Sequence, residues 1–283
     1  LMLYQDITVL ITSFKSDKKI EQCLKSISPK INILIIENSN NLEFKTRIEK
    51  NFSNCKCLLA GENLGYAKGN NLGLEKITTK FVLILNPDAL LSSDTIDNFL
   101  ITAKKNKDFA LIGPLVQEQH KKITSNIYNK HELVEVDKIK GFAMFLNMIQ
   151  FESIGFFDSN FFIYFEEIDL CKRVKKDNKK IYLDPSVKIN HVGGSSHDKD
   201  FDFEMELSRN WHWMWSKFYY NKKYYGYTRA FFKVLPNLTS AILKTCFYFV
   251  NRNKTKKLIY FQRMSGLINS ILNKKSWYRP KIN

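Results

Sequence analysis

Phe81-Val-Leu-Ile-Leu-Asn-Pro-Asp88 is the stretch that decides the fold. Five consecutive apolar residues with nothing polar between them read as a strand covered on both faces, the mark of a parallel-type sheet with helices above and below. Pro87 has no N–H for a further ladder bond, so pairing ends there and Asp88 is thrust out at the edge of the sheet. The same alternation runs upstream. Ile7-Thr-Val-Leu-Ile-Thr-Ser13 is a β-branched run, and Ile20, Cys23, Leu24 and Ile27 then fall at helical spacing between Asp17 and Ile27. Ile31 to Ile36 is a second strand, Leu42 to Phe52 a polar helix and Cys55 to Ala60 a third strand. A helix follows Asp88 from about Ser93 to Lys105, with Ser92 or Ser93 as its cap. Past residue 109 the pattern is irregular, with strands predicted at Ala110–Ile112, Gly141–Leu146, Lys180–Leu183 and Val187–His191. The fold class is α/β, a parallel-type sheet with helices on both faces, extended past residue 109 by further strands.

Ligands of such sheets sit beyond the carboxyl ends of the strands. Those ends are Thr12 to Lys15, Glu37 to Asn40, Gly61 to Gly65 and Asn86 to Asp88, all polar. Gly61, Gly65, Gly69 and Gly73 punctuate the passage from the third strand into a helix. Glycines at a helix start let backbone N–H groups approach a phosphate, and Lys68 adds charge, but the spacing is neither the dinucleotide fingerprint nor a Walker loop. Asp88 suits a hard divalent cation that takes one protein carboxylate and completes its shell with water and phosphate oxygens; an Asx-type turn into the next helix explains it equally well. His191, ahead of the flexible polar loop Val192-Gly-Gly-Ser-Ser196, offers a ring nitrogen to the same ion or simply a hydrogen bond to its neighbours.

A second cluster lies in Phe162-Ile-Tyr-Phe-Glu-Glu-Ile-Asp-Leu-Cys-Lys-Arg173. Glu166, Glu167 and Asp169 crowd behind Phe161, Phe162, Tyr164 and Phe165. Like charges beside apolar rings push carboxyl groups upward, which is how a base that works near neutral pH is made. Asp169 orients its neighbours or caps a helix start, and Arg173, one turn on, is its expected ion-pair partner.

The chain has 283 residues, 44% of them hydrophobic, enough for a substantial core without staples. Its five cysteines, Cys23, Cys55, Cys57, Cys171 and Cys246, match no zinc spacing and read as reduced thiols in a reducing compartment. The net charge of +16 is a property of the tail: residues 205–283 carry 16 Lys and Arg against the single Glu206. That asymmetry predicts a boundary near residue 204, separating a catalytic domain over 1–204 from a helical, aromatic and basic extension over 205–283. Trp211, Trp213, Trp215, Phe218, Tyr219, Tyr220 and Phe231 interleave with Arg209, Lys217, Lys222, Lys223 and Arg229. Such a mixture suits the headgroups of an anionic membrane, and packing of these helices on the catalytic domain with a solvated basic face is the plainer reading. Nucleic acid is disfavoured because no binding module is present. Leu1 to Asp6 has no basic leader and runs straight into a strand, so the chain is expected to stay cytoplasmic, peripheral at the inner face of the membrane. The apolar stretch Ala230 to Val250 is interrupted by Lys233, Pro236, Asn237 and Lys244, which argues against a spanning helix.

Taken in order, Ile7–Phe14, Glu37-Asn-Ser39, Asn63-Leu-Gly-Tyr-Ala-Lys-Gly-Asn-Asn71, Asn86-Pro-Asp88, Gly141-Phe-Ala-Met-Phe-Leu146, and Phe156-Phe-Asp158 with Tyr164–Arg173 and His191 resemble the family 2 glycosyltransferases, their rhamnosyltransferase-like branch especially, over residues 5–200. The resemblance implies a GT-A fold and inverting transfer of a sugar, rhamnose first by the branch resembled, from a dTDP- or UDP-linked donor to a glycan or lipid-linked acceptor. It implies that Thr12, Ser13, Phe14, Glu37, Asn63, Gly65, Lys68, Asn71, Asn86 and Asp88 line the donor nucleotide. It further implies that Asp88 and His191 hold Mg²⁺ or Mn²⁺, that Glu167 is the catalytic base, and that Glu166 and Asp169 serve the acceptor side or orient the site. Three positions depart from the family's pattern. Asn86 stands where many members have Asp, and Glu37 and Glu167 are each one methylene longer than the usual Asp. Those departures keep open a non-catalytic sugar-nucleotide or glycan-binding protein on the same fold, whereas a nucleotidyltransferase lacks its basic glycine loop after the first strand.

Overall fold

The computed structural model describes residues 4–116, 132–191 and 197–281; the 192–196 loop singled out beside His191 lies outside the described residues. Contacts divide the chain into two compact units, one drawn from Leu1–Phe157 and Glu167–Asp198, the other from Asp158–Glu166 and Lys199–Asn283. The single cut near residue 204 suggested by charge is therefore not the division that packing makes, because the aromatic segment ahead of Glu167 belongs with the helices.

The first unit is built on a nine-stranded sheet of β1 (Ile7–Ser13), β2 (Asn32–Glu37), β3 (Cys55–Leu59), β4 (Phe81–Leu85), β5 (Ala89–Leu91), β6 (Phe109–Val116), β7 (Val134–Glu135), β8 (Ala143–Asn147) and β9 (Lys180–His191). Its order is β3-β2-β1-β4-β8-β6-β9-β5, with β7 paired to β9. The half from β3 to β4 is parallel, as the continuous apolar runs predict, and every residue of β4 is buried. β8 then enters antiparallel between β4 and β6, making the sheet mixed. Its Phe145 stacks on Phe99, Phe81 and Phe109 at ring separations of 4.7, 5.3 and 5.8 Å, so one aromatic block fixes where the two halves meet.

Helices α1 (Ile20–Lys25), α2 (Leu42–Asn51), α3 (Gly65–Leu74), α4 (Thr95–Lys105) and α5 (Glu166–Lys176) follow the strands. α2 starts where expected, with Asn41 Oδ1 accepting from the Phe44 N–H at 3.0 Å. α4 begins two residues later than predicted, and neither Ser92 nor Ser93 caps it. Instead the Ser92 N–H donates to Thr95 Oγ1, whose hydroxyl donates to the Lys188 carbonyl, so the helix start is fastened to β9. The two strands expected at 180–183 and 187–191 are one: the register slips between Pro114 and Leu115, leaving Asp184 to accept from Ser186 N–H within a bulge, and pairing resumes beyond it. Three-residue β5 has no signal of its own, being too short for alternation to show.

The second unit holds α6 (Asp202–Tyr225), α7 (Tyr227–Val250) and α8 (Lys254–Ile271). Three of the aromatic residues that sequence alone offers to a membrane are core here. Trp211, Trp215 and Phe218 are buried, Trp211 stacks on Tyr278 at 5.8 Å, and the Trp215 indole N–H donates to the Lys274 carbonyl at 3.0 Å. Neutral His212 accepts this arrangement, its Nε2 2.9 Å from the Tyr278 carbonyl, with burial pulling its pKa down to about 3. Asp158 is ion-paired to Lys223 at 2.8 Å and accepts from the Tyr219 hydroxyl at 3.0 Å, which ties the segment before Glu166 to α6. Among the described residues no helix is long and apolar enough to cross a membrane.

Gly266 on α8 faces the Trp211 carbonyl so closely that an added Cβ would collide with backbone. At an ordinary helix position Gly→Ala gains ~1 kcal/mol. Here overpacking reverses the sign, so Gly266→Ala is expected to lose about 1–3 kcal/mol of unfolding free energy in urea titration.

Candidate active site

The Asn86-Pro87-Asp88 turn is set by its flanks. The Asn86 N–H donates to the Phe142 carbonyl at 2.8 Å, and β5 then runs antiparallel to the end of β9, with Ala89 opposite His191. That register carries Asp88 to the histidine: His191 Nε2 lies 3.4 Å from Asp88 Oδ1, and the Asp88 side chain is only 4% exposed. Phe142 lies flat on the imidazole, centroids 4.3 Å apart and planes 13° apart, and covers one face of the ring.

A carboxylate oxygen and an imidazole nitrogen converging at this separation suit a divalent cation of the Mn²⁺ or Mg²⁺ kind, which accepts few protein ligands and fills its shell from water and phosphate. Among the described residues no group of three or more His, Cys, Asp or Glu gathers, so these two side chains would leave most of the shell to a substrate.

Glu167 stands at the start of α5 over Gly141. A Cβ on that glycine would lie 3.4 Å from Glu167 Cβ and 3.8 Å from the Tyr66 hydroxyl, which itself donates to the Gly141 carbonyl. Glu167 and Tyr66 thus face the same stretch of backbone at Gly141. Burial pushes the Glu167 carboxyl above its ordinary range, while the N–H groups of Glu167 and Ile168 and the charge of Lys138 draw it part of the way back. Glu166, beside it, is buried. One turn on, burial pushes the Cys171 thiol up to about 12.

The ends of β1, β2 and α3 meet as expected, but several predicted donor contacts are occupied within the fold. The Ser13 carbonyl accepts from Asn38 N–H at 2.8 Å, and the Asn38 side chain donates to the Gly65 carbonyl at 3.1 Å. Glu37 turns back into its own turn: Oε1 takes the Ser39 N–H at 2.9 Å and Oε2 the Asn41 N–H at 2.7 Å, so both oxygens serve the start of α2. Asn71 clasps the Phe157 backbone, donating to its carbonyl at 2.9 Å and accepting its N–H at 3.0 Å. Gly69 and Gly73 are packing glycines. A Cβ at 69 would come within 2.7 Å of Thr12 Cγ2, and one at 73 would strike Leu10, which brings α3 hard against β1. Gly61 and Gly65, ahead of α3, both hold left-handed backbone, with φ of 80° and 75°, and Asn63 Oδ1 accepts the Gly65 N–H at 3.1 Å. Phe14 is half-buried and Lys68 exposed.

Asp169 is fully buried and holds Arg173 Nε at 2.8 Å, the ion-pair partner expected for it. The guanidinium also donates to the carbonyls of Ile154, Gly155 and Phe156. Arg173 and Asn71 between them fix residues 154–157, just before the chain leaves for the second unit. Tyr66, Phe142 and the buried Asp198, which accepts from Lys18 N–H at 3.3 Å, carry no signal strong enough for sequence to assign them a role. The glycine ahead of Phe142 is the one hint.

A parallel nucleotide-binding half continued by antiparallel strands, with a carboxylate at the β4 end, defines the GT-A class of fold. The likeness to solved structures agrees. A mannosyltransferase from Pyrobaculum calidifontis, in complex with GDP-Man and Mn²⁺, superposes with a TM-score of 0.61 over 95% of this chain and 88% of its own at 12% identity. GalNAc-T7 with UDP, GalNAc and Mn²⁺ gives 0.55 over 65% of this chain and 42% of its own, also at 12% identity. Residues 8–171, more than half of the chain, match Glycosyl transferase family 2, and the chain belongs to that family. Among curated relatives, the low-salt glycan biosynthesis hexosyltransferase Agl10 of Haloferax volcanii is 25% identical over 63% of this chain and 64% of its own length. The N-acetylglucosaminyl-diphospho-decaprenol L-rhamnosyltransferase of Mycobacterium tuberculosis is 19% identical over 68% and 78%.

Two outcomes follow from this geometry. Asp169→Ala strands Arg173, which is one-fifth exposed, and is expected to cost about 3 kcal/mol in urea unfolding. A raised native pKa means that folded Glu167 holds its proton to higher pH than the unfolded chain does, so its contribution to stability falls as pH rises from the unfolded toward the folded value. Glu167→Gln is expected to remove that downward slope when melting temperature is followed against pH.

Proposed function

We propose that the chain is an inverting glycosyltransferase that moves a sugar from a nucleotide-diphosphate donor to a hydroxyl of a glycan or lipid-linked acceptor. The observation that carries this reading is the approach of Asp88 to His191 at the end of β4, with Phe142 stacked on the imidazole and the preceding Gly141 facing Glu167. It sets a raised carboxylate at one end of a short backbone bridge and a cation-type donor pair at the other.

In the reaction, Glu167 accepts the acceptor hydroxyl proton as that oxygen attacks the anomeric carbon. The carbon's bond to the diphosphate oxygen breaks on the opposite face, so configuration inverts. A divalent cation bound at Asp88 and His191 would stabilise the charge gathering on the departing diphosphate. Phe142 holds the imidazole in plane, and Asp169 with Arg173 fixes the α5 turn that presents Glu167. The open conformation at Gly65, next to the ends of β1 and β2, supports a nucleotide there.

Rhamnose from dTDP is the first donor to try, on the branch resembled and on the name of the mycobacterial relative, with UDP sugars next. That relative's name also specifies a decaprenol-linked acceptor, which supports a lipid-linked one here.

Titration calorimetry with dTDP and UDP, with and without Mn²⁺ or Mg²⁺, tests the donor end. Binding of one nucleotide is expected to depend on the cation and to vanish in Asp88→Ala. Glu167→Gln is expected to bind that nucleotide like the wild type yet transfer about 10²-fold slower or worse in a product assay. Full-rate transfer by Glu167→Gln removes it from the base role, and binding of neither nucleotide favours the non-catalytic scaffold.

A further inference from the structure

The distal half of the α7–α8 hairpin has no core of its own. The buried residues of α7 end at Ala241, and those of α8 do not begin until Gly266. Between them the helices touch through Tyr248 and Tyr260, stacked at 5.5 Å, and present apolar side chains outward: Leu243 is 69% exposed, Phe247 60%, Phe249 68% and Val250 76%. Isolated exposed apolar residues are ordinary on a protein surface, but a contiguous set is not. Here Cys246, Phe249, Val250, Leu258 and Phe261 also line an open groove of about 490 Å³.

Charge decides what covers it. Residues 242–265 contain Lys244, Arg252, Lys254, Lys256, Lys257 and Arg263 and no acidic residue, and no Asp or Glu follows Glu206 to the end of the sequence. Several of these cations lie over the rings of the same tip: Lys256 is 5.3 Å from the Tyr248 centroid, Lys257 5.6 Å from Phe249 and Lys244 4.9 Å from Tyr260. Cations and rings mixed on one surface are the pairing found at a lipid–water boundary. A second copy meeting this face on itself would bring two sets of cations together with no counter-charge. Leu243, Val250 and Leu258 present no π-face on which a nucleic-acid base could stack.

We infer that the tip of the α7–α8 hairpin, residues 242–261, is a monotopic anchor that seats Leu243, Phe247, Phe249 and Val250 in the headgroup–acyl boundary of an anionic bilayer, with Lys254, Lys256 and Lys257 on the lipid phosphates. The helices lie at the surface and do not span it. This inference stands independently of the transferase reading, since it uses no residue of the sheet unit. It also moves the contact away from residues 211–220, whose rings are largely spent in the helical core.

Flotation of the full chain with phosphatidylcholine vesicles, with and without phosphatidylglycerol, tests it. Binding is expected only with the anionic lipid and is expected to weaken with added salt. The variant Phe247→Ser, Phe249→Ser, Val250→Ser alters only exposed positions, so its helicity and melting should match the wild type, while its vesicle partitioning falls about tenfold or more. Lys254→Gln, Lys256→Gln, Lys257→Gln is expected to lose the preference for phosphatidylglycerol. Undiminished binding by the serine variant overturns the anchor and leaves charge alone. Failure of the wild type to float at low salt, or light scattering that shows a dimer abolished by the serine variant without any vesicle binding, overturns it as well.

Discussion

The constraint from which the site follows is the antiparallel entry of β8 between β4 and β6. A purely parallel sheet would place the next strand's carboxyl end beside Leu85. The reversal instead brings the amino end of β8, and the two residues that lead into it, to the place where β4 finishes. Gly141 and Phe142 therefore arrive at the mouth of the sheet. Gly141 faces Glu167 and Tyr66, the Phe142 carbonyl receives the Asn86 N–H, and its ring stacks on His191. The Phe145 stack with Phe81, Phe99 and Phe109 holds that reversal in place from inside the core. Shape inside the sheet and chemistry at its edge are thus two consequences of one strand's direction.

The parallel half was legible in the sequence because strands covered on both faces are written as unbroken apolar runs, and because Pro87 marks where β4 stops. The acidic cluster was legible too, as was the Asp169–Arg173 pair, since residues four apart on a helix share a face. What escaped the sequence is direction. Gly69 and Gly73 at a spacing of four serve a phosphate loop or a close helix–strand contact equally well, and only the position of Leu10 and Thr12 decides for packing. Glu37 bonds the backbone of its own turn at Asn41, and Asn71 that of Phe157, 86 residues on, neither of which composition or spacing announces. The pairing of β5 with β9 joins Asp88 to His191 across about a hundred residues, and three residues of strand cannot announce that in composition.

The helical unit shows the same limit from another side. Aromatic and basic residues are mixed along all of residues 205–283, and nothing in their order separates the rings that pack from those that face outward. Trp211, Trp215 and Phe218 fall on the buried stripe of α6, while Phe247 and Phe249 lie where α7 has outrun its neighbours. Ahead of Glu166, Tyr164 and Phe165 both adopt left-handed backbone, with φ of 72° and 71°, and their rings lie against Trp213 at 5.2 and 5.3 Å. Bulky residues rarely take that conformation, so packing on α6 offsets a local cost at the doorstep of the proposed base.

The cysteines give the molecule an unplanned experimental handle. Cys23, Cys55, Cys57 and Cys171 are buried, and burial pushes the thiols of Cys55, Cys57 and Cys171 up to about 12, so they stay protonated and shielded from electrophiles at neutral pH. Cys246 is exposed on the second half of α7. A thiol-directed dye or spin label added to the unmodified chain should therefore report from one known address, on the very surface where α7 runs bare.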